Sequence, residues 1–357
     1  MPIVSRFESF RGRRILITGL TGFKGIWLGL WLKHLGADVS GLALPADAAM
    51  LRGWPDLAER LPCHHADIRD LAAVRRVFKA TAPEFVFHLA AQPLVRLSYR
   101  EPVETFATNV MGAVHVLEAC RETPGVLAAI NVTSDKCYEN REWPWGYREG
   151  EAMGGHDPYS ASKGCAEIAT AAYRRSFGLR VASGRAGNVI GGGDFSADRL
   201  VPDMVRAVLA GEPLVLRRPE SIRPWQHVLE PLSGYLLLAE QLLKPEGDFA
   251  KGWNFGPPDV YPTTVRGVAE SLVRHWGRGR IVESVDPGAP HEAHYLKLDS
   301  SLAAVELGWT ARLSPDERIA WTVEWYKAWH ADPASAWATA AEQIERYEAL
   351  LESTAQK

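Results

Sequence analysis

The sequence predicts an α/β fold: a doubly wound parallel sheet with a smaller, mostly helical lobe. Three observations predict it. Short, continuous apolar runs alternate with longer helical ones over the first half of the 357 residues. The first apolar run passes through a glycine-rich turn into a helix. The regular alternation fades beyond about residue 190, where helical patterns dominate.

The elements follow in order. "RRILITG" is a short buried strand, "FKGIWLGLWLKHLG" a helix ending at Gly36, and "ADVSGLAL" a second strand. "CHHADI" and "PEFVFHLAA" read as the third and fourth strands, with the helix "DLAAVRRVFKA" between them. "PVETFATNVMGAVHVLEACRE" is a long helix, "VLAAINVTS" a fifth strand, "YSASKGCAEIATAAYRRSF" a helix and "LRVASGRAGNV" a sixth strand. Strands apolar throughout imply a parallel sheet covered on both faces, with ligands at its carboxyl edge. Later helices are expected at "RLVPDMVRAVLAG", "LEPLSGYLLLAEQLL", "TVRGVAESLVRHW" and "SPDERIAWTVEWYKAWH". The last opens on Ser314 and Pro315, a good cap and first-turn pair. Residues 1–188 are assigned to dinucleotide binding, with a return crossing near 225–255, and 189–357 mainly to a nucleotide-sugar-binding lobe.

Composition narrows the partners. A formal net charge of −3 and scattered basic residues give no reason to expect nucleic acid or an anionic membrane. The start, "MPIVSRFESFRGRR", has no signal-peptide pattern, and "GIWLGLWLKHLG" is too short to span a bilayer. Cys63, Cys120, Cys137 and Cys165 show no paired or metal-like spacing, so reduced thiols in the cytoplasm are expected. Cys137 reads as a packing residue. His291 and His294, three apart with no third ligand, do not suggest a metal, and none is expected. The tryptophans of "AWTVEWYKAWH" fall at helical spacing and read as core.

"TGLTGFKG" places Gly19, Gly22 and Gly25 where backbone must approach a pyrophosphate on a helix N-terminus. No acidic residue ends the second strand before Asp47, which leaves NAD against NADP open. Asp67 and Ile68 are placed to bracket adenine, or Asp67 to cap the next helix. Tyr159 and Lys163, four apart, share one helix face. An ammonium there is expected to pull the tyrosine pKa from about 10 towards neutrality, so that it can accept a hydroxyl proton. Asp135 and Lys136 close the fifth strand, either as a surface ion pair or, at the ligand edge, as an acid and a base. The connection 138–158 is long and aromatic, and is expected to pack over the site.

These pieces, with "HLAAQ", "TNVMG" and "TSD", resemble the extended short-chain dehydrogenase/reductases, built on a Rossmann sheet. "HLAAQPLVRLSY", "NVTSDKCYENREWPWGYRE", "DPYSASKGCAE", "RAGNVIGGGDF", "RPWQHVLEPLSGY" and "HEAHYLKLD" resemble the CDP-glucose 4,6-dehydratase branch, from about residue 10 to 330. The resemblance implies NAD-dependent oxidation of a nucleotide hexose at C4, loss of water across C5–C6 and hydride return to C6, a lyase step of deoxysugar biosynthesis such as that of lipopolysaccharide O-antigen. It implies that Ser134 steadies the C4 oxygen, Tyr159 accepts its proton and Lys163 holds the nicotinamide ribose. Asp135 would donate to the C6 hydroxyl, and Lys136 would stand where relatives carry the glutamate that takes the C5 proton.

The matched motifs further imply cofactor contacts from Phe23, Leu89, Ala90, Ala91, Asn109 and Thr133, and sugar-nucleotide contacts from Arg96, Asn188, Arg223 and Tyr295. They imply a homodimer, with a tetramer as the larger option. Leu20 stands where the family often carries histidine. A nucleotide-sugar 4-epimerase shares fold and cofactor but needs no acid–base pair after the serine. A non-enzymatic dinucleotide sensor would need neither Tyr159 nor Lys163.

Overall fold

The computed structural model describes residues 7–245, 247–258, 263–284 and 295–353. His291 and His294 lie outside the described residues.

Six short apolar runs become the strands β1 (Arg14–Thr18), β2 (Asp38–Ala43), β3 (Cys63–His65), β4 (Phe85–His88), β5 (Ala128–Val132) and β6 (Val181–Ala186). A seventh strand, Gly252–Phe255, pairs with β6. All pairings are parallel, in the order Gly252–Phe255, β6, β5, β4, β1, β2, β3. The order reverses between β1 and β4, and there the carboxyl edge opens a crevice for a ligand. Alternate side chains feed two cores, as the two-residue strand period requires. Ile15, Ile17, Phe85, Phe87 and Ile130 enter one. Leu16, Val86 and Ala129 enter the other, against the helices Leu71–Thr81 and Gly112–Glu122.

The long helix expected over 102–122 is interrupted. Its middle turn, Ala107–Met111, is a π-helix, which an apolar period cannot reveal. The bulge carries Asn109, buried at 4% exposure.

The second lobe holds the helices Leu200–Ala210 and Val265–Trp276 and a parallel strand pair, Pro213–Leu216 with Arg280–Glu283. Beyond it, Pro315–Ala331 and Ala336–Ser353 run back to the first domain. The latter is an element the sequence reading did not name. Trp31 Nε1 of α1 (Phe23–His34) donates to Glu348 Oε1 at 2.8 Å, and Trp337 Nε1 donates to the Pro55 carbonyl at 2.6 Å. The rings of Trp54, Trp325 and Trp337 pack with centroids 4.8–4.9 Å apart. The abundance of tryptophan thus fills the seam between the C-terminal helices and the first domain.

Candidate active site

The glycine turn closes on itself and on β4. Gly19 has φ +73°, and a Cβ there would lie 2.8 Å from Ala90 N. One on Gly25 would lie 2.2 Å from the Gly19 carbonyl oxygen. Gly22, the N-cap of α1, offers no side chain to the helix start, so no side chain caps the first-turn N–H groups. That is a fit for a pyrophosphate. Thr18 Oγ1 shares a 2.6 Å hydrogen bond with His88 Nδ1 and accepts from Ala90 N at 3.2 Å, so β1 and β4 are locked side by side beneath the turn. Burial drives His88 down to about 3, with Lys163 adding to the effect, and the ring is neutral.

Asp67 is not a helix cap. Its carboxylate accepts from Arg69 N at 2.8 Å and from the Arg69 guanidinium, and it is Asp70 that caps Leu71–Thr81 through Ala73 N at 3.1 Å. Ile68 is buried against Gly112, where a Cβ would come within 2.4 Å of it. Asn109 accepts from Gln92 N at 2.8 Å and donates to the Gln92 carbonyl and to Ser162 Oγ. This ties the π-turn to the segment after β4 and to the helix Pro158–Phe177.

Beyond the carboxyl edge lies a cleft of about 420 Å³. It brings together Phe23, Leu89, Ala91, Arg96, Thr133, Ser134, Asp135, Lys136, Tyr159, Lys163, Asn188 and Arg223. Gly19, Gly22, Gly25, Asp67, Ile68, Ala90 and Asn109 are not among its lining residues. Tyr295 does not line it; its neighbour Leu296 does, while the Tyr295 carbonyl accepts from Asn140 Nδ2 at 3.2 Å. The 138–158 connection supplies Tyr138, Asn140, Glu142, Gly155, His156 and Asp157 to the wall. Its stacked rings, Tyr138 on Tyr147 and Trp143 on Tyr147, give it a core of its own.

The Ser134–Lys136 turn is built for a buried acid. Ser134 Oγ donates to Asp135 Oδ1 at 2.8 Å and accepts from Lys136 N at 3.2 Å. Asp135 is only 3% exposed, and its Oδ2 has no hydrogen-bond partner among the described residues. Burial raises its pKa against the opposing pull of Lys136, Ser134 and Arg223. A surface ion pair is therefore not what this carboxyl forms. Gly187 makes the room: a Cβ there would lie 2.2 Å from the Pro224 ring and 2.9 Å from Asp135 Oδ2.

The tyrosine runs opposite to expectation. Burial pushes Tyr159 up to about 12, and the Ser134 hydrogen bond only moderates this. Lys163 Nζ lies 6.0 Å from the Tyr159 ring centroid, and burial lowers that amine to about 8. A lysine four residues on was read as the dominant influence, but dehydration of the phenol outweighs it. Cys137 is fully buried with Tyr138, Tyr147, Leu296 and Leu298, and burial holds its thiol well above the ordinary range, which suits packing rather than nucleophilic chemistry.

Sequence reasoning missed the support behind this turn. Glu167 accepts from Thr133 Oγ1 at 2.5 Å and from Arg185 Nη2 at 2.7 Å, and Arg185 Nη1 donates to Tyr138 Oη at 2.7 Å. The available signal was spacing: Glu167 follows Lys163 by four, one turn further along the same face. It also missed Lys24 and Arg199, which line the same cleft. Among the described residues no group of His, Cys, Asp or Glu is placed to hold a metal, and no helix is long and apolar enough to cross a membrane.

The family profile of GDP-mannose 4,6 dehydratase matches residues 16–322. The chain belongs to this family. It is 50% identical over 330 residues to the CDP-glucose 4,6-dehydratase of Salmonella typhimurium, a match covering 90% of this chain and 92% of that protein. Among solved structures it resembles DesIV, the dTDP-glucose 4,6-dehydratase from Streptomyces venezuelae with NAD and TYD bound (26% identity, TM-score 0.74, 88% and 97% coverage). It also resembles the UDP-glucose 4-epimerase of Thermotoga maritima with UDP-glucose (25% identity, TM-score 0.75, 88% and 98% coverage). The same fold thus hosts both reactions, so the reaction has to be argued from the side chains of the site.

Proposed function

We propose that this chain is a nucleotide-sugar 4,6-dehydratase acting on CDP-D-glucose with NAD, releasing CDP-4-keto-6-deoxy-D-glucose. The observation that carries the reading is Asp135, a buried carboxyl with a raised pKa and one free oxygen at the ligand edge. An epimerase has no leaving group to protonate and no use for such an acid; a passive dinucleotide sensor has no use for Tyr159 and Lys163 either. The half-identical Salmonella relative supports the choice of CDP-glucose, and DesIV supports NAD.

The glycine turn and the start of α1 would hold the pyrophosphate, with Phe23, Leu89, Ala91, Asn109 and Thr133 along the cofactor and Asp67 and Ile68 at its adenine end. The hydride chemistry is supplied by NAD when bound, which takes the C4 hydride and returns it at C6. Ser134 would orient the C4 oxygen, and Tyr159 would take its proton, with Lys163 one helical turn away to favour the phenolate. Asp135 gives its proton to the departing C6 oxygen. Lys136 takes the proton from C5. Arg223, beside Asp135, carries the sugar diphosphate, a task suited to a guanidinium fork, with Arg96, Asn188 and the Tyr295 segment around the sugar nucleotide. The lobe after residue 189, apart from the return strand and the C-terminal helices, would hold the nucleotide sugar. Exposed Val103, Phe106, Met111, Ile168 and Phe177 support a homodimer through the helices that carry them, and the cytoplasm is the expected compartment.

Two measurements test this reading. Incubated with CDP-, dTDP-, GDP- and UDP-glucose, the protein should yield the alkali-absorbing 4-keto product fastest from CDP-glucose; no product from it, with NAD supplied, rejects the reading. Lys136→Ala should slow solvent-hydrogen exchange into C5 by about 10². Exchange at the wild-type rate would remove Lys136 as the base.

A further inference from the structure

Within the glycine turn sits an amine that neither the motif nor the proposed chemistry uses. Lys24 occupies the first turn of α1, between Phe23 and the close-packed Gly25, and lines the cleft with Asp135, Lys163 and Arg199. The backbone on either side of it belongs to the pyrophosphate cradle. Its side chain is half-buried and lies within electrostatic reach of Lys163, Arg199 and Asp135, beside which the redox ring must sit to meet the C4 carbon. No hydrogen bond or ion pair satisfies the amine among the described residues.

We propose that Lys24 is a further cofactor-binding residue, its amine facing the redox ring of the dinucleotide and giving up its proton to solvent when the positively charged ring binds. The inference rests on the dehydratase reading, which puts an oxidised, cationic ring at this place. The electrostatics agree with the geometry. Burial, then Lys163, then Arg199 lower Lys24 to about 7, with Asp135 pulling the other way. The charged and titratable groups facing it are Lys163 and Tyr159 from the helix Pro158–Phe177, Asp135 after β5, and Arg199 with its partner Asp194 at 3.0 Å from the second lobe. His88 beneath is neutral. One more like charge beside an amine already lowered to about 7 is enough to expel its proton. The N–H bond breaks, its electron pair stays on nitrogen, and the proton leaves to the buffer.

The test is cofactor binding alone, without sugar. Affinity for NAD should weaken by about tenfold between pH 8 and pH 5.5, the equivalent of one pKa unit of repulsion. Affinity for the reduced cofactor, whose ring is uncharged, should not. Lys24→Met should abolish most of that difference, and Lys24→Arg should hold NAD affinity near its low-pH value throughout. Lys163, at about 8, titrates in the neighbouring range, and the contrast between Lys24→Met and wild type separates the two. Should the methionine variant not fold, calorimetry of wild type in two buffers of different ionisation enthalpy reads the same event as proton release on NAD binding near pH 7. Lys24→Met retaining the wild-type pH slope, or wild type releasing no proton, overturns the proposal. CDP-glucose turnover with pH-independent NAD binding would leave the dehydratase reading intact and remove this one. Proton-linked NAD binding without product from any nucleotide sugar would do the reverse.

Discussion

Replacing Asp135 with asparagine is expected to cut formation of the 4-keto-6-deoxy product by about 10³–10⁴-fold, the upper range for losing a positioned general acid. Asparagine keeps the shape and the hydrogen bond from Ser134, which reaches Oδ1 at 2.8 Å, but has no acidic proton to place on a departing hydroxyl. Oxidation at C4 does not use that proton, so substrate should still drive the rise in absorbance of the reduced cofactor, which then persists instead of decaying. Loss of both phases would show that Asp135 serves binding or oxidation rather than elimination.

The same substitution has an opposite effect on stability, and its sign follows from burial. The folded pKa of Asp135 is raised, so the folded state binds its proton more tightly than the unfolded chain does. As pH rises above the ordinary carboxylate range and through that raised value, ionising this side chain progressively destabilises the fold. An asparagine in its place carries no such cost. At pH 8 the Asp135→Asn protein should therefore melt at or above the wild-type temperature, and the gap should close towards pH 4. Equal gaps at both pH values would mean that the acid is not held in its protonated form. A buried carboxyl kept at a cost to stability is what a site selected for chemistry contains.

Much of the fold was legible because it follows from two periods. The six strands and the helices between them are apolar runs broken by glycine and polar caps, and Ser314, expected as a cap, does cap its helix, in a capping box with Glu317. The return strand Gly252–Phe255 is not marked by the regular alternation of apolar and helical runs, which fades beyond about residue 190. The Ala336–Ser353 helix was passed over because the resemblance ends near residue 330, although its alanine- and glutamate-rich sequence favours a helix on propensity alone. Of the candidate site, Asp135, Lys136, Tyr159 and Lys163 were singled out by type and spacing, and Ser134 by the resemblance alone. What spacing could not supply was burial. It reverses the direction of the Tyr159 shift, makes Asp135 an acid rather than half of a surface pair, and places Lys24, which the sequence reading passed over, in the cleft.

Burial also governs the second large effect, behind the catalytic turn. Glu167 and Arg185 are 4% and 5% exposed, and their side chains meet at 2.7 Å between the helix Pro158–Phe177 and β6. Burial pushes the carboxyl upward, but the charge and hydrogen bond of Arg185, with Thr133, hold it below its ordinary range. Glu167→Gln leaves a guanidinium with its desolvation cost and without its counter-charge, and should destabilise the protein by about 3–5 kcal/mol in denaturant unfolding. Because Glu167 is lowered, the stabilisation it gives is present above the ordinary carboxylate range and is lost as pH falls through the folded value. Glu167→Met combined with Arg185→Met removes both charges and should restore most of that stability, since an apolar pair carries no desolvation penalty. Activity should not return with it. Thr133 Oγ1 would lose its acceptor, and Thr133 is the residue that delivers Ser134 and Asp135 to the sheet edge. A double variant both stable and fully active would show that the ion pair serves only the core; a stable, slow one with substrate KM little changed would mark Glu167 as the residue that positions the acid.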